Sequence, residues 1–426
     1  MNLLIKNSHC MIRYFFIFIV SLLCSFFMPF NIFSQTSWRI SDDGWVMRKK
    51  NTDKDYEKFF AIGLWGIPGY DYTNKKNISL RSDLGNQKIF RDRTENFNLV
   101  YMHTNNVRSF MNTQTLIVGT SEIPWYLNHH PILKSIVENK GSVIDQRKRI
   151  ENLKGEVRKK IIKDAISYID KTLLSQGLNN FIWAPIDEVV GWPISVTEQI
   201  FNEIKKYNND IVFIDLLGNG YDRPFSAGGG RYLRSQVDKD SFFDFWYNNV
   251  SSITSTYLSS GDIFGVNSFN DFYKYPFLVG LTVDAIFEGA QTKDIAVWIF
   301  FDSNGYSKPV GVKVEDFYKN IKCQVYTSIV HGATGVIFWN DLTKRSLSDS
   351  LEFLVGELKI NDVIFKGFTL SKYTRGDIHC LTKKTSDGSM YMIATNTSKD
   401  SNNVFYHNES GSMINLSPLQ VLVRKL

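Results

Sequence analysis

Two adjacent carboxylates, Asp187 and Glu188, end the apolar run of residues 181–186. An ionised side chain without a partner is costly to bury, so a strand that ends in carboxylates usually presents them to a site. In closed barrels of parallel strands, the carboxyl ends of the strands form the active-site face. The pattern therefore predicts that this pair lies at such a face, where carboxyl groups transfer protons.

Side-chain alternation favours Glu188 over Asp187 as the proton donor. In a strand, every second side chain points to the same face. The face that carries Glu188 is otherwise small or aliphatic, with Ile182, Ala184 and Ile186, which suits a barrel interior. Asp187 falls on the opposite face unless the chain turns there. We therefore predict that Glu188 is the general acid/base, with Asp187 as a further catalytic candidate.

Polar and aromatic side chains also follow other apolar runs. Asp302 ends residues 294–302 and is the candidate for a second carboxylate opposite Glu188, although Asp-Ser-Asn-Gly also suits a turn. Indole rings offer apolar faces, and amide and imidazole groups offer hydrogen bonds, so such residues suit sugar binding as well as a hydrophobic core. The candidate substrate-binding residues are Trp65, His103, Trp192, Asn219, Asn267 and Trp339.

Eight apolar runs of strand length precede the last sixth of the chain. They are continuous rather than alternating, as expected of parallel strands that are covered on both faces. Eight is the number that a closed (β/α)8 TIM barrel needs. The runs comprise residues 59–66, 97–104, 115–121, 181–188, 211–220, 262–269, 294–302 and 333–341.

Segments with helical periodicity separate several of these runs and make the fold class α/β. The clearest are residues 147–174, 196–208 and 314–332, with Gly332 in the position of a helix C-terminal stop. The connections between the first three strands look loop-like instead. We therefore predict a barrel that is distorted in its first third.

The pattern changes near Phe365 to short alternating stretches, with Ser386-Asp387-Gly388 as a hairpin signal. This indicates a small antiparallel β domain. The predicted organisation is a signal peptide at residues 1–35, a catalytic barrel at 36–362 and a β-sandwich-like domain at 363–426.

The amino-terminal segment is typical of a secretory signal. Lys6 and Arg13 precede the apolar residues 14–33, and cleavage is predicted near residues 34–36. The run is nearly long enough to span a bilayer, so an uncleaved anchor is the alternative. No later run is long and charge-free enough to cross a membrane. We expect a secreted, periplasmic or cell-surface protein.

Composition excludes several other classes. The net charge of +6 becomes +4 once Lys6 and Arg13 leave with the signal, which is too mild to indicate nucleic acid as a partner. Cys323 and Cys380 are the only cysteines beyond the signal, and two cysteines make neither a disulfide framework nor a zinc site. We predict two buried thiols, no cofactor and no metal. The oligomeric state stays open.

Three short stretches carry a resemblance to a known family. WAPIDE (183–188), VWIFFDSNG (297–305) and HGATGVIFWND (331–341) resemble the secreted TIM-barrel glycoside hydrolases of the retaining clan with catalytic acids on strands four and seven. The resemblance implies a glycosidase with a carbohydrate substrate, with Glu188 as general acid/base and Asp302 as nucleophile. The chain departs from the clan at Asp187, where Asn is usual, and at Asp302, where Glu is usual.

These departures leave three possible functions open, two of them catalytic. Asp302 acts as the nucleophile of a retaining hydrolase, or a wider separation from Glu188 leaves room for water and inversion. Alternatively, Asp187 and Glu188 resemble the dyad of N-acetylhexosaminidase-like enzymes, in which the acetamido group of the substrate assists. The third possibility is a non-catalytic glycan-binding barrel that retains only the sugar-binding residues.

Overall fold

The fold was analysed in a computed structural model. The structure describes residues 36–50, 53–65, 70–71, 76–77, 97–102, 115–119, 132, 148–149, 151–168, 181–184, 194–207, 211–217, 247–248, 251, 262–267, 270–291, 294–303, 308–339 and 345–426. The predicted signal peptide at residues 1–35 lies outside these ranges.

A three-stranded antiparallel sheet opens the described chain. It consists of β1 (Thr36–Ile40), β2 (Val46–Lys50) and β3 (Glu57–Lys58), in the order β1-β2-β3. Trp38, Val46 and Phe59 pack against the inward-facing residues of the barrel that follows, and the rings of Trp38 and Phe59 meet edge to face at 5.3 Å. The sheet therefore covers the amino end of the barrel, which the sequence analysis did not predict.

Eight parallel strands close into a barrel, and their order around it equals their order along the chain. The last barrel strand pairs with the first. A separate two-stranded sheet, formed by Tyr70–Asp71 and Lys76–Asn77, lies in sequence between the first and second barrel strands. The strands in chain order are β4 (Ala61–Trp65), β5 (Tyr70–Asp71), β6 (Lys76–Asn77), β7 (Leu99–Met102), β8 (Thr115–Gly119), β9 (Phe181–Ala184), β10 (Val212–Leu217), β11 (Ile263–Asn267), β12 (Ala296–Asp302) and β13 (Gly335–Trp339).

The TIM barrel of the α/β class is confirmed, because each of the eight predicted runs contains one barrel strand. The continuous apolar pattern arises because both faces of each strand are buried. In β12, Trp298 and Phe300 belong to the barrel interior, whereas Val297 and Ile299 pack with the surrounding helices. The connections of β4, β7 and β8, where a distortion is predicted, lie largely outside the described residues.

Six helices are described in full. A helix lies within each of the three predicted segments, but in residues 147–174 it begins only at Gly155, after a break at residues 152–154. Gly332 caps the fifth helix with a φ of 115°, a left-handed conformation that glycine adopts without strain. The helices are α1 (Gly155–Tyr168), α2 (Ile194–Tyr207), α3 (Asn270–Lys274), α4 (Leu278–Ala290), α5 (Val314–His331) and α6 (Arg345–Phe365). Among the described residues, none of the helices is both long and apolar enough to cross a bilayer.

The carboxyl-terminal residues form the predicted antiparallel β domain. A four-stranded sheet has the order β14-β15-β16-β19, and β17–β18 is a separate hairpin whose inner side chains, Phe405 and Ile414, pack onto the core of that sheet. Cys323 and Cys380 are buried free thiols, as predicted. The strands are β14 (Phe368–Arg375), β15 (Ile378–Lys384), β16 (Met390–Asn396), β17 (Asn403–His407), β18 (Ser412–Leu416) and β19 (Val421–Lys425).

Candidate functional site

Three of the predicted site residues form a row at the carboxyl end of the barrel. Asp302, Trp339 and Trp65 are the last residues of β12, β13 and β4, and they are direct register partners across these neighbouring strands. Since adjacent strands lie about 4.8 Å apart, one acid and two indoles occupy roughly 10 Å of the barrel rim. This is the end at which barrel enzymes carry their active sites.

Side-chain alternation along each strand explains why these three residues face the inside of the barrel. Asp302 follows Trp298 and Phe300 at two-residue spacing, and both of those rings lie in the barrel interior. The residue is only 8% exposed. It is part of β12 rather than of the turn that follows, so the strand delivers it to the inner rim.

The two tryptophans form an angled pair. Their ring centroids are 6.0 Å apart with an interplanar angle of 36°, and Trp65 also meets Phe300 edge to face at 5.9 Å. Both tryptophans are partly exposed, whereas Phe300, one layer below, is buried. The pair therefore extends the apolar lining of the barrel to its rim, where a ligand has access to it.

Glycines beneath the pair allow the barrel to close. A Cβ at Gly335 would lie 2.7 Å from the Cβ of Ala61 and 2.7 Å from Cδ1 of Trp298. A Cβ at Gly63 would lie 2.7 Å from side-chain atoms of Ile337 and of Leu99 on β7. The interior is thus filled by large residues that interlock with glycines directly below the site.

We expect Gly335→Ala to destabilise the protein by about 1–3 kcal/mol, because the added methyl group overpacks the interior. Gly356→Ala on α6 is the matched control, since nothing lies within 4 Å of its added Cβ. Removing a glycine from a helix should stabilise it by roughly 0.5–1 kcal/mol. Urea unfolding measures both, and a Gly335→Ala protein as stable as the wild type would contradict the packing described.

A clamp of hydrogen bonds holds the rim at Asp302. The backbone N–H and the hydroxyl of Ser303 both donate to the carbonyl oxygen of Trp339, at 3.0 and 2.9 Å. The hydroxyl of Tyr318 on α5 donates to the carbonyl oxygen of Ser303 at 2.9 Å. Ser303 is fully buried. The acid and the indole on either side of these bonds are therefore held at a fixed separation.

The hydrogen bonds of Ser303 and Tyr318 were not predicted from the sequence. Ser303 was assigned to a turn, because serine after aspartate is common in turns. Tyr318 lies within a helical pattern and gives no sign that its hydroxyl reaches the end of β12. Only the register between β12 and β13 shows that Ser303 is placed to bond the carbonyl oxygen of Trp339.

The remaining candidates are not brought together by the described part of the chain. Asp187, Glu188, Trp192, His103 and Asn219 lie outside the described residues. Strand β9 is described as far as Ala184, four positions before Glu188. Asn267 ends β11 and pairs with Phe300, one layer below the row of Asp302.

The described part of β9 agrees with the predicted orientation of the strand. Ile182 lies in the barrel interior, and Trp183 faces the helices, where its ring packs 5.4 Å from that of Phe213. The strand is three positions from β12 around the eight-stranded barrel. The carboxyl end of β9 therefore lies across the barrel from that of β12.

The charged groups of the described site do not include a metal-binding set. Within the described stretches, no three His, Cys, Asp or Glu side chains are grouped as a metal site would require.

Comparisons with known proteins were made for the chain and for its fold. No protein-family model matches the chain, and no curated protein matches it in sequence. An α-amylase from Geobacillus thermoleovorans, solved with acarbose, has 11% identity and a TM-score of 0.47, covering 85% of this chain and 97% of its own. A cyclic α-maltosyl-(1→6)-maltose hydrolase from Arthrobacter globiformis has 10% identity and a TM-score of 0.46, covering 86% and 98%.

A family 39 glycoside hydrolase from Bacteroides cellulosilyticus WH2 is also similar. It has 11% identity and a TM-score of 0.39, covering 92% of this chain and 86% of its own. All three TM-scores lie below 0.5, so these similarities indicate neither a reaction nor a substrate for this chain. The fold class rests on the strand topology of the chain itself.

Proposed function

We propose that this protein is a glycoside hydrolase that cleaves a poly- or oligosaccharide. The observation that carries the proposal is the row of Asp302, Trp339 and Trp65 on three neighbouring strands at the carboxyl end of the barrel. A carboxylate supplies charge at the anomeric carbon, and the partly exposed indoles supply an apolar surface for the face of a sugar ring.

The proposed mechanism uses two carboxyl groups on opposite sides of the barrel mouth. Glu188 protonates the leaving glycosidic oxygen, and Asp302 attacks the anomeric carbon to form a glycosyl ester. Water then attacks the same carbon, gives a proton to the Glu188 carboxylate and releases Asp302. The position of β9 three strands from β12 supports this pairing, because it sets the two rim positions across from each other.

The substrate-binding roles follow from the same placement. Trp339 and Trp65 are proposed to contact the sugar bound next to Asp302, and Asn267 is proposed to contact it from β11. His103, Asn219 and Trp192 are proposed hydroxyl-binding or stacking residues on the other strand ends. Asp187 is retained as the residue that would orient an acetamido group in a substrate-assisted mechanism.

A panel of glycans tests the proposal. Purified protein is incubated with α- and β-linked oligo- and polysaccharides, and both reducing ends and bound ligand are measured. Hydrolysis of at least one glycan is expected, and the anomer released reports retention or inversion. Binding without hydrolysis would indicate a glycan-capture protein instead, and neither binding nor hydrolysis across the panel would refute both functions.

We propose further that the protein is exported, on the basis of the charged and apolar pattern of residues 1–33. The mature amino terminus is expected near residue 36, and β1 begins at Thr36. Amino-terminal sequencing of the protein recovered from outside the cytoplasm measures this. An intact Met1 in that material would show an uncleaved anchor.

A further inference from the structure

Helix α5 joins the barrel to the carboxyl-terminal sheet through three buried polar side chains. Cys323, Thr327 and His331 follow one another at four-residue spacing, so they lie on one face of the helix. The Cys323 thiol donates to the carbonyl oxygen of Asn396 at 3.4 Å, and the hydroxyls of Thr327 and Thr395 are 2.9 Å apart. The junction is therefore built from directional bonds rather than from apolar packing alone.

The third residue of this stripe begins a longer chain of bonds. Nδ1 of His331 lies 2.7 Å from Oδ2 of Asp284 on α4, and Nε2 lies 2.8 Å from Nδ1 of His379 on β15. Nε2 of His379 lies 3.3 Å from the hydroxyl of Thr397, which lies 3.1 Å from the carbonyl oxygen of Asp377. We call the connected groups of Asp284, His331, His379 and Thr397 the histidine chain.

The histidine chain has two complete proton arrangements. When His331 is neutral, Thr397 donates to Nε2 of His379, Nδ1–H of His379 donates to Nε2 of His331, and Nδ1–H of His331 donates to Asp284. The hydroxyl of Thr397 has one proton, so its bond to the carbonyl oxygen of Asp377 is then absent. Every other bond of the chain is satisfied.

One added proton reverses the direction of the central bonds. Both ring nitrogens of His331 then carry hydrogen, so Nε2–H donates to Nδ1 of His379. His379 changes tautomer and donates from Nε2 to Thr397, whose hydroxyl is released to bond the carbonyl oxygen of Asp377. The bond from Nε2–H of His331 to Nδ1 of His379, which crosses from the barrel to the carboxyl-terminal domain, then becomes charge-assisted and therefore stronger. The protonated arrangement also gains the Thr397 bond within the carboxyl-terminal domain and an ion pair between the His331 imidazolium and Asp284.

We propose that the histidine chain is a proton-operated latch that fastens the carboxyl-terminal β domain to the barrel. Binding of one proton at His331 tightens the junction, and loss of that proton loosens it. The latch is independent of the proposed glycosidase function, because its residues lie at the carboxyl end of α5, on α4 and in the carboxyl-terminal domain, away from the barrel rim.

The surrounding groups are consistent with a single mobile proton. Burial, together with repulsion from a charged His331, lowers the pKa of His379 to about 3, so His379 stays neutral. Burial opposes ionisation of Asp284, but the hydrogen bond and charge of His331 outweigh it and hold the pKa of that carboxyl below its ordinary value. The titratable groups that face His331 are thus Asp284 from α4, His379 from β15 and Lys372 from β14.

Lys372 and Asp284 also give the proton a route from solvent. The ammonium of Lys372 lies 3.2 Å from Oδ1 of Asp284, and the two side chains are 43% and 34% exposed, whereas His331 is 5% exposed. Gly280 makes room for the ring, since a Cβ there would lie 2.5 Å from Cδ2 of His331.

Thermal unfolding of the full chain tests the stability consequence. The stabilisation is present while His331 carries two protons and is lost as the pH rises through the point where the second proton leaves. From acidic to alkaline pH, the wild-type midpoint should fall by roughly 1–2 °C more than that of Asp284→Asn, because the shift in midpoint per kcal/mol becomes smaller as the chain becomes longer. A midpoint in Asp284→Asn that falls as steeply as in the wild type would overturn the proposal.

Asp362→Asn is the matched control for this comparison. Asp362 on α6 is 30% exposed and paired with Lys366 at 2.6 Å, so it resembles Asp284 in exposure and in its lysine partner but contacts no histidine of the chain. The control should keep the wild-type pH dependence. If it loses the same pH dependence, carboxylate–lysine pairs explain the effect and the latch is refuted.

Nuclear magnetic resonance of ¹⁵N-histidine-labelled protein tests the proton positions directly. At acidic pH we expect His331 to be protonated on both nitrogens and His379 on Nε2 alone, with His379 protonated on Nδ1 at alkaline pH. The ring of His331 is identified in the native protein by its proximity to the α-hydrogens of Gly280, so the test does not need a variant that folds. A His379 tautomer that stays the same across this range would refute the latch.

Discussion

Asp302→Asn is expected to leave the protein folded and to lower kcat on its glycan by about three orders of magnitude or more. Asparagine has nearly the same shape as aspartate, so the packing of the last residue of β12 against the barrel rim is retained. The amide has no negative charge to stabilise the developing positive charge at the anomeric carbon, and it is a poor nucleophile. Steady-state kinetics and the unfolding midpoint are measured on the same preparation.

Asp294→Asn is the control for this substitution. Asp294 lies two positions before β12, at the amino end of the barrel, and is exposed. The control should retain full turnover. If Asp302→Asn is as active as Asp294→Asn, Asp302 is not the nucleophile and the adjacent pair Asp187 and Glu188 becomes the mechanism to test.

Glu188→Gln is expected to reduce turnover by about 10²- to 10⁴-fold, the usual contribution of a general acid. The loss should depend on the leaving group, since a glycoside with an acidic phenol as leaving group needs little protonation. We therefore expect kcat to fall far less on an activated aryl glycoside than on the natural glycan. A substitution that merely disturbed folding would reduce both equally.

Glu156→Gln is the control for the second substitution, because Glu156 is an exposed residue in the first turn of α1 that pairs with Lys159 at the surface. Full activity of Glu188→Gln on the natural glycan would contradict its role as acid. A structure of the rim decides stereochemistry, since carboxyl groups about 5–5.5 Å apart indicate retention and roughly 6.5–9.5 Å indicates inversion.

The barrel could be predicted from the sequence because its strands are buried on both faces and therefore read as continuous apolar runs. Helix α4 was missed for the same reason, since its sequence LVGLTVDAIFEGA is apolar almost throughout and has no polar stripe to reveal its period. The amino-terminal sheet was missed because β1 and β2 mix charged and apolar residues, and only the barrel interior explains where Trp38 packs.

Part of the candidate site could also be predicted. Asp302, Trp339 and Trp65 were identified because each lies at or near the end of an apolar run, which is a local feature. Ser303 was missed because its role depends on which carbonyl oxygen of the next strand lies opposite. The histidine chain was missed because His331 lies 47 and 48 positions from Asp284 and His379, and no local pattern connects such residues.

The packing of Trp38 against the barrel interior bears on how fast the protein folds. Trp38 leaves the ribosome early, but Trp298 and Ile337, which belong to the same buried cluster, are among the last barrel residues to be made. Contacts so distant in sequence form slowly, because the entropy of closing a long loop is lost before the contact is gained. The cover at the amino end of the barrel can therefore be completed only after the last barrel strand has been made.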